Sequence, residues 1–130
     1  MDELKTIEFE RELRNNPIAL NILRKKDDLN NEKGDLIKDI VSIKEQLRNR
    51  EYEKEQANKI LRMSIYSVED YIEAKKKLKE ITQWQRNAGK SKMYKNIRVQ
   101  EIRNELMKLN NDLKPIKIKI FENLNKKWSD

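Results

Sequence analysis

The chain contains no cysteine and no histidine, and these two absences remove much of the chemistry that proteins use at neutral pH. Without cysteine neither a disulfide nor a thiolate metal site can form, and without histidine there is no imidazole to bind a metal or carry a proton. The 23 acidic residues are interspersed with 30 lysines and arginines, so the carboxylates are expected to be hydrated and charged. We therefore expect a protein that is not an enzyme and that binds no cofactor or metal.

Glycine and proline are also scarce, with two of each among 130 residues. Soluble proteins average about 7% glycine and 5% proline, so this chain has few positions at which a helix must end. A sheet protein would need many more turn residues. Because 41% of the residues are charged and only 36% are hydrophobic, a thick globular core is not expected either. The composition predicts an all-α fold with thin, elongated packing of helices.

Long hydrophobic runs are missing as well. No segment approaches the roughly 18 apolar residues that a membrane-spanning helix requires. Charged side chains interrupt the first twenty residues, so the hydrophobic stretch of a signal peptide is absent there. We expect no membrane association and a cytoplasmic location.

The clearest positive feature is an apolar stripe near the C-terminus, in which steps of three and four residues alternate without interruption. Such a narrow stripe is the seam of a coiled coil, and it can be buried only against another helix. We expect the long helices to pack antiparallel, and the narrow stripes to leave apolar surface that drives self-association into a homo-oligomer. The candidate self-association seam consists of Val99, Ile102, Leu106, Leu109, Leu113, Ile116 and Ile120.

Local sequence signals divide the chain into three to five helices. We expect these helices to form an antiparallel helical hairpin or coiled-coil bundle within one elongated domain. Asn16 is a good N-cap for a helix that begins at Pro17, and Ser67 caps a third helix whose apolar stripe includes Val68 and Ile72. The predicted segments are a short helix in 1–16, a long helix over 17–63, a third helix over 67–89, a fourth over 91–114 and a kinked C-terminal helix over 115–130.

Three positions decide where these helices end. Gly89 is expected to end the third helix, with Ser91 capping the fourth, and Pro115 is expected to kink or break the chain. Gly34 has two interpretations: it lies inside one long helix, or it ends a helix while Asp35 begins the next. Because the seven-residue apolar phase continues across Gly34, the sequence favours one helix, at a cost of about 1 kcal/mol relative to alanine.

Positive charge is concentrated in the second half of the chain. Residues 1–70 carry a net charge of −2 and residues 71–130 a net charge of +9. Residues 75–98, which surround the expected turn at Gly89, include nine cationic side chains and only one carboxylate, that of Glu80. A basic patch at the tip of a helical hairpin follows from this arrangement. Its candidate residues are Lys75, Lys76, Lys79, Trp84, Arg86, Lys90, Lys92, Tyr94, Lys95 and Arg98.

Three interpretations of this patch stay open. The lysines face solvent while Trp84 and Tyr94 pack in the core; or the patch binds nucleic-acid phosphates; or it binds an acidic protein surface. The leading hypothesis is a non-catalytic helical interaction protein that binds a macromolecular partner through its seams and its basic patch, and the alternative is a nucleic-acid-binding accessory protein. The abundance of lysine, asparagine and isoleucine is typical of an AT-rich genome, so coding bias is an alternative source for part of the lysine excess. Together with the small size and the lack of a metabolic motif, this bias favours a phage or mobile-element product, located in the host cytoplasm or the virion. Its role would be that of a virion or scaffold component or of an inhibitor of a host protein.

Overall fold

The computed structural model describes residues 2–63 and 65–129, and all the regular structure within these ranges is α-helical. The prediction of an all-α fold is confirmed. The three helices pack against one another, and in the described ranges none of them is long and apolar enough to cross a membrane. They are α1 (Glu3–Asn15), α2 (Pro17–Arg62) and α3 (Val68–Ser129), with 13, 46 and 62 residues.

The two cap residues indicated by the sequence start the two long helices. The side-chain Oδ1 of Asn16 accepts hydrogen bonds from the backbone N–H groups of Ile18 and Ala19, each at 3.0 Å. Ser67 Oγ accepts from the backbone N–H of Asp70 at 3.1 Å. Each contact satisfies a backbone donor that has no partner within its helix, which typically stabilises a helix by about 1 kcal/mol.

The chain divides into two compact units. We call residues Met1–Gly34 and Gln100–Asp130 the terminal unit, and residues Asp35–Val99 the hairpin unit. Both α2 and α3 contribute residues to each unit. No break occurs at Gly34, because α2 continues through it from Pro17 to Arg62.

In the terminal unit α1 and the first turns of α2 pack against the last part of α3. Leu113 on α3 is 1% exposed and lies in a cluster with Leu13 of α1 and Ala19 and Ile22 of α2. These side chains are aliphatic, and their burial excludes water from a narrow core. The half-buried side chains around this cluster are Phe9, Leu23, Leu109, Ile116 and Ile120.

A polar and aromatic cluster joins α1 to the end of α3. Glu8 accepts hydrogen bonds from Lys127 Nζ at 2.6 Å and from Trp128 Nε1 at 3.0 Å. Phe121 packs edge to face against Phe9 and Trp128, with ring centroids 6.5 Å apart in each pair. This geometry is the one that aromatic pairs prefer, so α1 is held by directional contacts as well as by burial.

In the hairpin unit α2 and α3 run antiparallel. Lys95 bonds to Asp39 at 3.0 Å, whereas Gln85, earlier on α3, bonds to Glu51, later on α2, also at 3.0 Å. The residue number therefore falls along one helix as it rises along the other. The buried side chains of this unit are Ile40, Ala57, Ala74, Ile81 and Val99.

The prediction that a helix ends at Gly89 is wrong. Both Gly89 and Ser91 lie inside α3, and the described residues include no glycine with positive φ, so Gly89 lacks the left-handed conformation of a helix end. Ile81 before it and Val99 after it are both buried at helical spacing. Continuing the helix keeps both side chains on the covered side of α3, which outweighs the weak helix propensity of one glycine.

Of the two outcomes expected at Pro115, a kink or a break, the break is absent because α3 continues through this residue. Pro115 lies within α3 on the exposed side, while Leu113 is buried and Ile116 packs against the terminal core. A proline in a helix interior costs about 3 kcal/mol, and burial of its neighbours offsets this cost. One helix, α3, thus replaces the three predicted segments 67–89, 91–114 and 115–130.

Candidate interaction surface

α2 ends at Arg62 and α3 begins at Val68, so the chain passes from one helix to the other some twenty residues before Gly89. The predicted basic patch is therefore not at the tip of a hairpin. All ten of its residues belong instead to the part of α3 that lies in the hairpin unit. Their positions around the helix decide which of them can meet a partner.

The structure divides the ten residues into an exposed group and an inner group. Four of the exposed ones, Lys75, Lys79, Arg86 and Lys90, are separated by four, seven and four residues, so they share one face of the helix. We call these four residues the basic row. From first to last it extends about 22 Å along the helix at 1.5 Å per residue. The full exposed group is Lys75, Lys76, Lys79, Arg86, Lys90 and Tyr94.

Two members of the inner group, Trp84 and Lys95, have contacts within the hairpin unit. Lys95 forms its ion pair with Asp39 at 3.0 Å, and the guanidinium of Arg50 lies 5.2 Å from the centroid of the Trp84 ring. A cation above an indole face is an attractive arrangement, so Arg50 stabilises the helix pairing here. The four half-buried members are Trp84, Lys92, Lys95 and Arg98.

Exposed apolar side chains extend the face of the basic row at both ends. Val68 is 75% exposed and Ile72 61% on one side of the row, and Met93 is 52% exposed and Ile97 49% on the other. The spacing predicts Val68 and Ile72 in the apolar stripe of a third helix, yet both side chains are exposed. We call these four residues together with the basic row the outer face of α3. The sequence signal for this face was the spacing of its members, in steps of three, four and seven residues.

The predicted self-association seam is covered by the chain itself. Leu113 and its neighbours Leu109, Ile116 and Ile120 pack into the terminal core against α1 and α2. Val99, Ile102 and Leu113 are buried, and Leu106, Leu109, Ile116 and Ile120 are half-buried. A second copy would have to displace these internal contacts to reach the seam, so the seam is not an open docking surface.

A second group of exposed apolar side chains lies around the connection between α2 and α3. Met63, Tyr66 and Tyr71 help to line a hollow of about 330 Å³, and Ile65 projects into solvent. The sequence pattern indicates only a break between helices at this segment.

The described residues contain no group of three or more acidic side chains placed to hold a metal ion. The Glu8 pair is the clearest electrostatic interaction: the hydrogen bond from Lys127, followed by that from Trp128, lowers the pKa of the Glu8 carboxyl below 4.5. The same contact raises the pKa of Lys127 above 10.5. Because both groups join α1 to α3, this pair has a structural role.

No protein-family model, curated protein or solved structure matches this chain. A fold by itself does not indicate an activity, so the function has to be argued from the surface of the protein.

Proposed function

We propose that the protein is a non-catalytic helical interaction protein that binds an acidic macromolecule through the basic row of α3. The observation that supports this proposal is the exposure of Lys75, Lys79, Arg86 and Lys90 along one helix face. Between residues 75 and 98 the one acidic side chain is Glu80, which follows Lys79 and so points about a quarter-turn away around the helix.

The row is a concentration of like charge. Within the described residues none of its four cations has an ion-pair partner. Lys75 with Lys79, and Arg86 with Lys90, are pairs of like charges four residues apart, an arrangement that destabilises an isolated helix. Carboxylates or phosphates of a partner would relieve this repulsion, so binding of an anion and stability of the hairpin unit should be coupled.

The charge of the whole chain acts in the same direction. A net charge of +7 attracts acidic partners over a distance of about one Debye length, roughly 10 Å at 0.1 M salt. We therefore expect fast association at low salt and a steep loss of affinity as salt is added.

The alternative partner is a nucleic acid. The observation that favours it is Tyr94, an exposed aromatic ring one helical turn beyond Lys90. A ring beside cations can stack on an unpaired base while the cations contact the phosphates. A protein partner is our first choice because the four apolar residues of the outer face would gain little from a phosphate backbone.

Binding of the full-length chain to poly-L-glutamate and to single-stranded DNA at about 50 mM salt tests the proposal, since ionic contacts are strongest at low salt. A variant in which all four residues of the basic row become glutamate should lose binding. The matched control replaces four exposed lysines of α3 in the terminal unit by glutamate: Lys114, Lys117, Lys119 and Lys126.

Both variants lower the net charge from +7 to −1, so a difference between them reports position rather than total charge. Retained binding by the control and loss by the row variant supports the proposal. Equal loss in both variants, or no binding of the wild-type chain to either polyanion, refutes it. Stronger binding to DNA than to poly-L-glutamate would select the nucleic-acid alternative.

A further inference from the structure

We infer that the outer face of α3 binds an acidic amphipathic helix of another protein. This inference rests on the proposed function and specifies the form of the partner. It depends on the apolar ends of the face, which the proposed function does not require.

The outer face is a continuous row of side chains on one side of a helix. From Val68 to Ile97 its members are separated by four, three, four, seven, four, three and four residues. Such steps keep all of them within one stripe of an α-helix. The stripe extends about 44 Å, which matches a partner helix of some thirty residues. Along it the order is two apolar residues, four cations and two apolar residues.

The order of side chains is the same when the face is read in either direction. Val68 and Ile72 at one end correspond to Ile97 and Met93 at the other, and the cations between them are placed symmetrically. A second copy docked antiparallel would match the apolar ends but place lysines and arginines against one another. Parallel docking brings the cations together as well. Like charges that meet across an interface oppose association, so a second copy of this face is the wrong occupant.

The occupant must therefore be acidic in the middle and apolar at both ends. A phosphate backbone satisfies only the first condition, because Ile72 and Ile97 would stay in water on either side of it. An amphipathic helix satisfies both, since its carboxylates can face the basic row while its apolar residues cover the ends. The complementary pattern is acidic residues at positions i, i+4, i+11 and i+15, with apolar residues at i−7, i−3, i+18 and i+22.

The probe is a fluorescein-labelled synthetic peptide that carries glutamate and leucine at these positions and alanine and glutamine elsewhere. Its control has the same composition, with the glutamates moved to the ends and the leucines to the middle. Binding to the full chain is measured by fluorescence anisotropy. We expect the patterned peptide to bind at least about tenfold more tightly than the control, because each misplaced peptide residue leaves a charge or an apolar side chain unmatched.

Two double variants separate charge from apolar contact. Ile72→Ser with Ile97→Ser should weaken binding of the patterned peptide roughly tenfold, because the variant lacks two aliphatic side chains that docking buries in the wild type. Lys79→Glu with Arg86→Glu should abolish it. The matched control, Ile37→Ser with Val41→Ser, changes two exposed apolar residues of α2 and should bind like the wild type. All the substituted positions are exposed, and circular dichroism checks that each variant is folded.

The outcomes separate the two proposals. If the serine variant binds as the wild type does while the glutamate variant does not, the face recognises charge alone: the inference is wrong and the proposed function stands. If the wild-type chain binds neither the peptide nor the polyanions, both fail. If the wild-type chain sediments as an oligomer and the serine variant sediments as a monomer, a second copy occupies the face. If single-stranded DNA displaces the peptide and binds the serine variant unchanged, the occupant is a nucleic acid. Either of the last two results overturns the inference.

Discussion

Replacing Gly89 by alanine tests whether α3 is continuous at this position, because the two alternatives predict effects of opposite sign. In the structure Gly89 lies in the helix interior without a positive φ. Apart from its chain neighbours and the adjacent backbone of the helix, no atom lies within 4 Å of where a Cβ atom would be, so alanine fits without displacing a side chain. Alanine favours a helix interior by about 1 kcal/mol over glycine, and it also restricts the unfolded chain. We therefore expect the free energy of unfolding to rise by about 1 kcal/mol.

The opposite sign follows if Gly89 ends a helix. A helix-ending glycine adopts the left-handed conformation, in which an alanine side chain costs roughly 1–2 kcal/mol. Gly89→Ala would then lower the free energy of unfolding. The difference between the two alternatives is at least about 2 kcal/mol, which exceeds the usual error of such measurements.

Urea unfolding followed by circular dichroism is the assay. The midpoint should rise while the dependence on urea stays the same, since the surface exposed on unfolding does not change. Gly34→Ala in α2 is the matched control, because a Cβ atom there also meets no neighbour and the helix also continues. Stabilisation by Gly34→Ala with destabilisation by Gly89→Ala would refute the continuous α3.

Three further predictions follow from the helices and their contacts. Pro115→Ala should raise the free energy of unfolding by as much as about 3 kcal/mol, measured in urea, because alanine restores a helical hydrogen bond; no gain would show that the helix bends there without strain. Asn16→Ala should lower the free energy of unfolding by about 1 kcal/mol, because the helix cap is lost, whereas Asn16→Asp should leave this free energy unchanged. The pKa of Glu8 in the folded protein lies below its ordinary value of 4.5. The contact of the ionised Glu8 carboxylate with Lys127 and Trp128 therefore stabilises the docking of α1 fully above pH 4.5. This stabilisation is lost as the pH falls through the lowered pKa of the folded state. Trp128 fluorescence in a Trp84→Phe background should report this loss, and Glu8→Gln should remove the pH dependence; an unchanged profile would contradict the role of the pair.

The starts of the helices could be predicted because capping is local. Asn16 bonds to backbone groups two and three residues ahead, and Ser67 bonds to a group three residues ahead, so short sequence patterns contain the whole interaction. The two ends expected within α3, at Gly89 and before Pro115, could not be predicted in this way. Gly89 and Pro115 are local signals for stopping, but the packing of distant residues against the same helix overrides them.

The candidate site was predictable in part. The cations between 75 and 98 are evident from the sequence, but the helix end expected at Gly89 separated Lys90 from the other three members of the basic row, so their common face became evident only with the continuous α3. Which side of α3 turns toward α2 was not evident. Lys95 belongs to the inner group because Asp39, 56 residues away, lies opposite it. Trp84 joins it because Arg50 packs over its ring.

The sequence alone determined the helical class, the concentration of positive charge and the residues that begin α2 and α3. These properties depend on composition and on neighbours within one helical turn. Only the tertiary structure decided that α3 is one helix, that the C-terminal seam is covered internally and that the outer face of α3 is open. Helical periodicity specifies which residues share a face, but which face is covered depends on contacts between residues far apart in the chain.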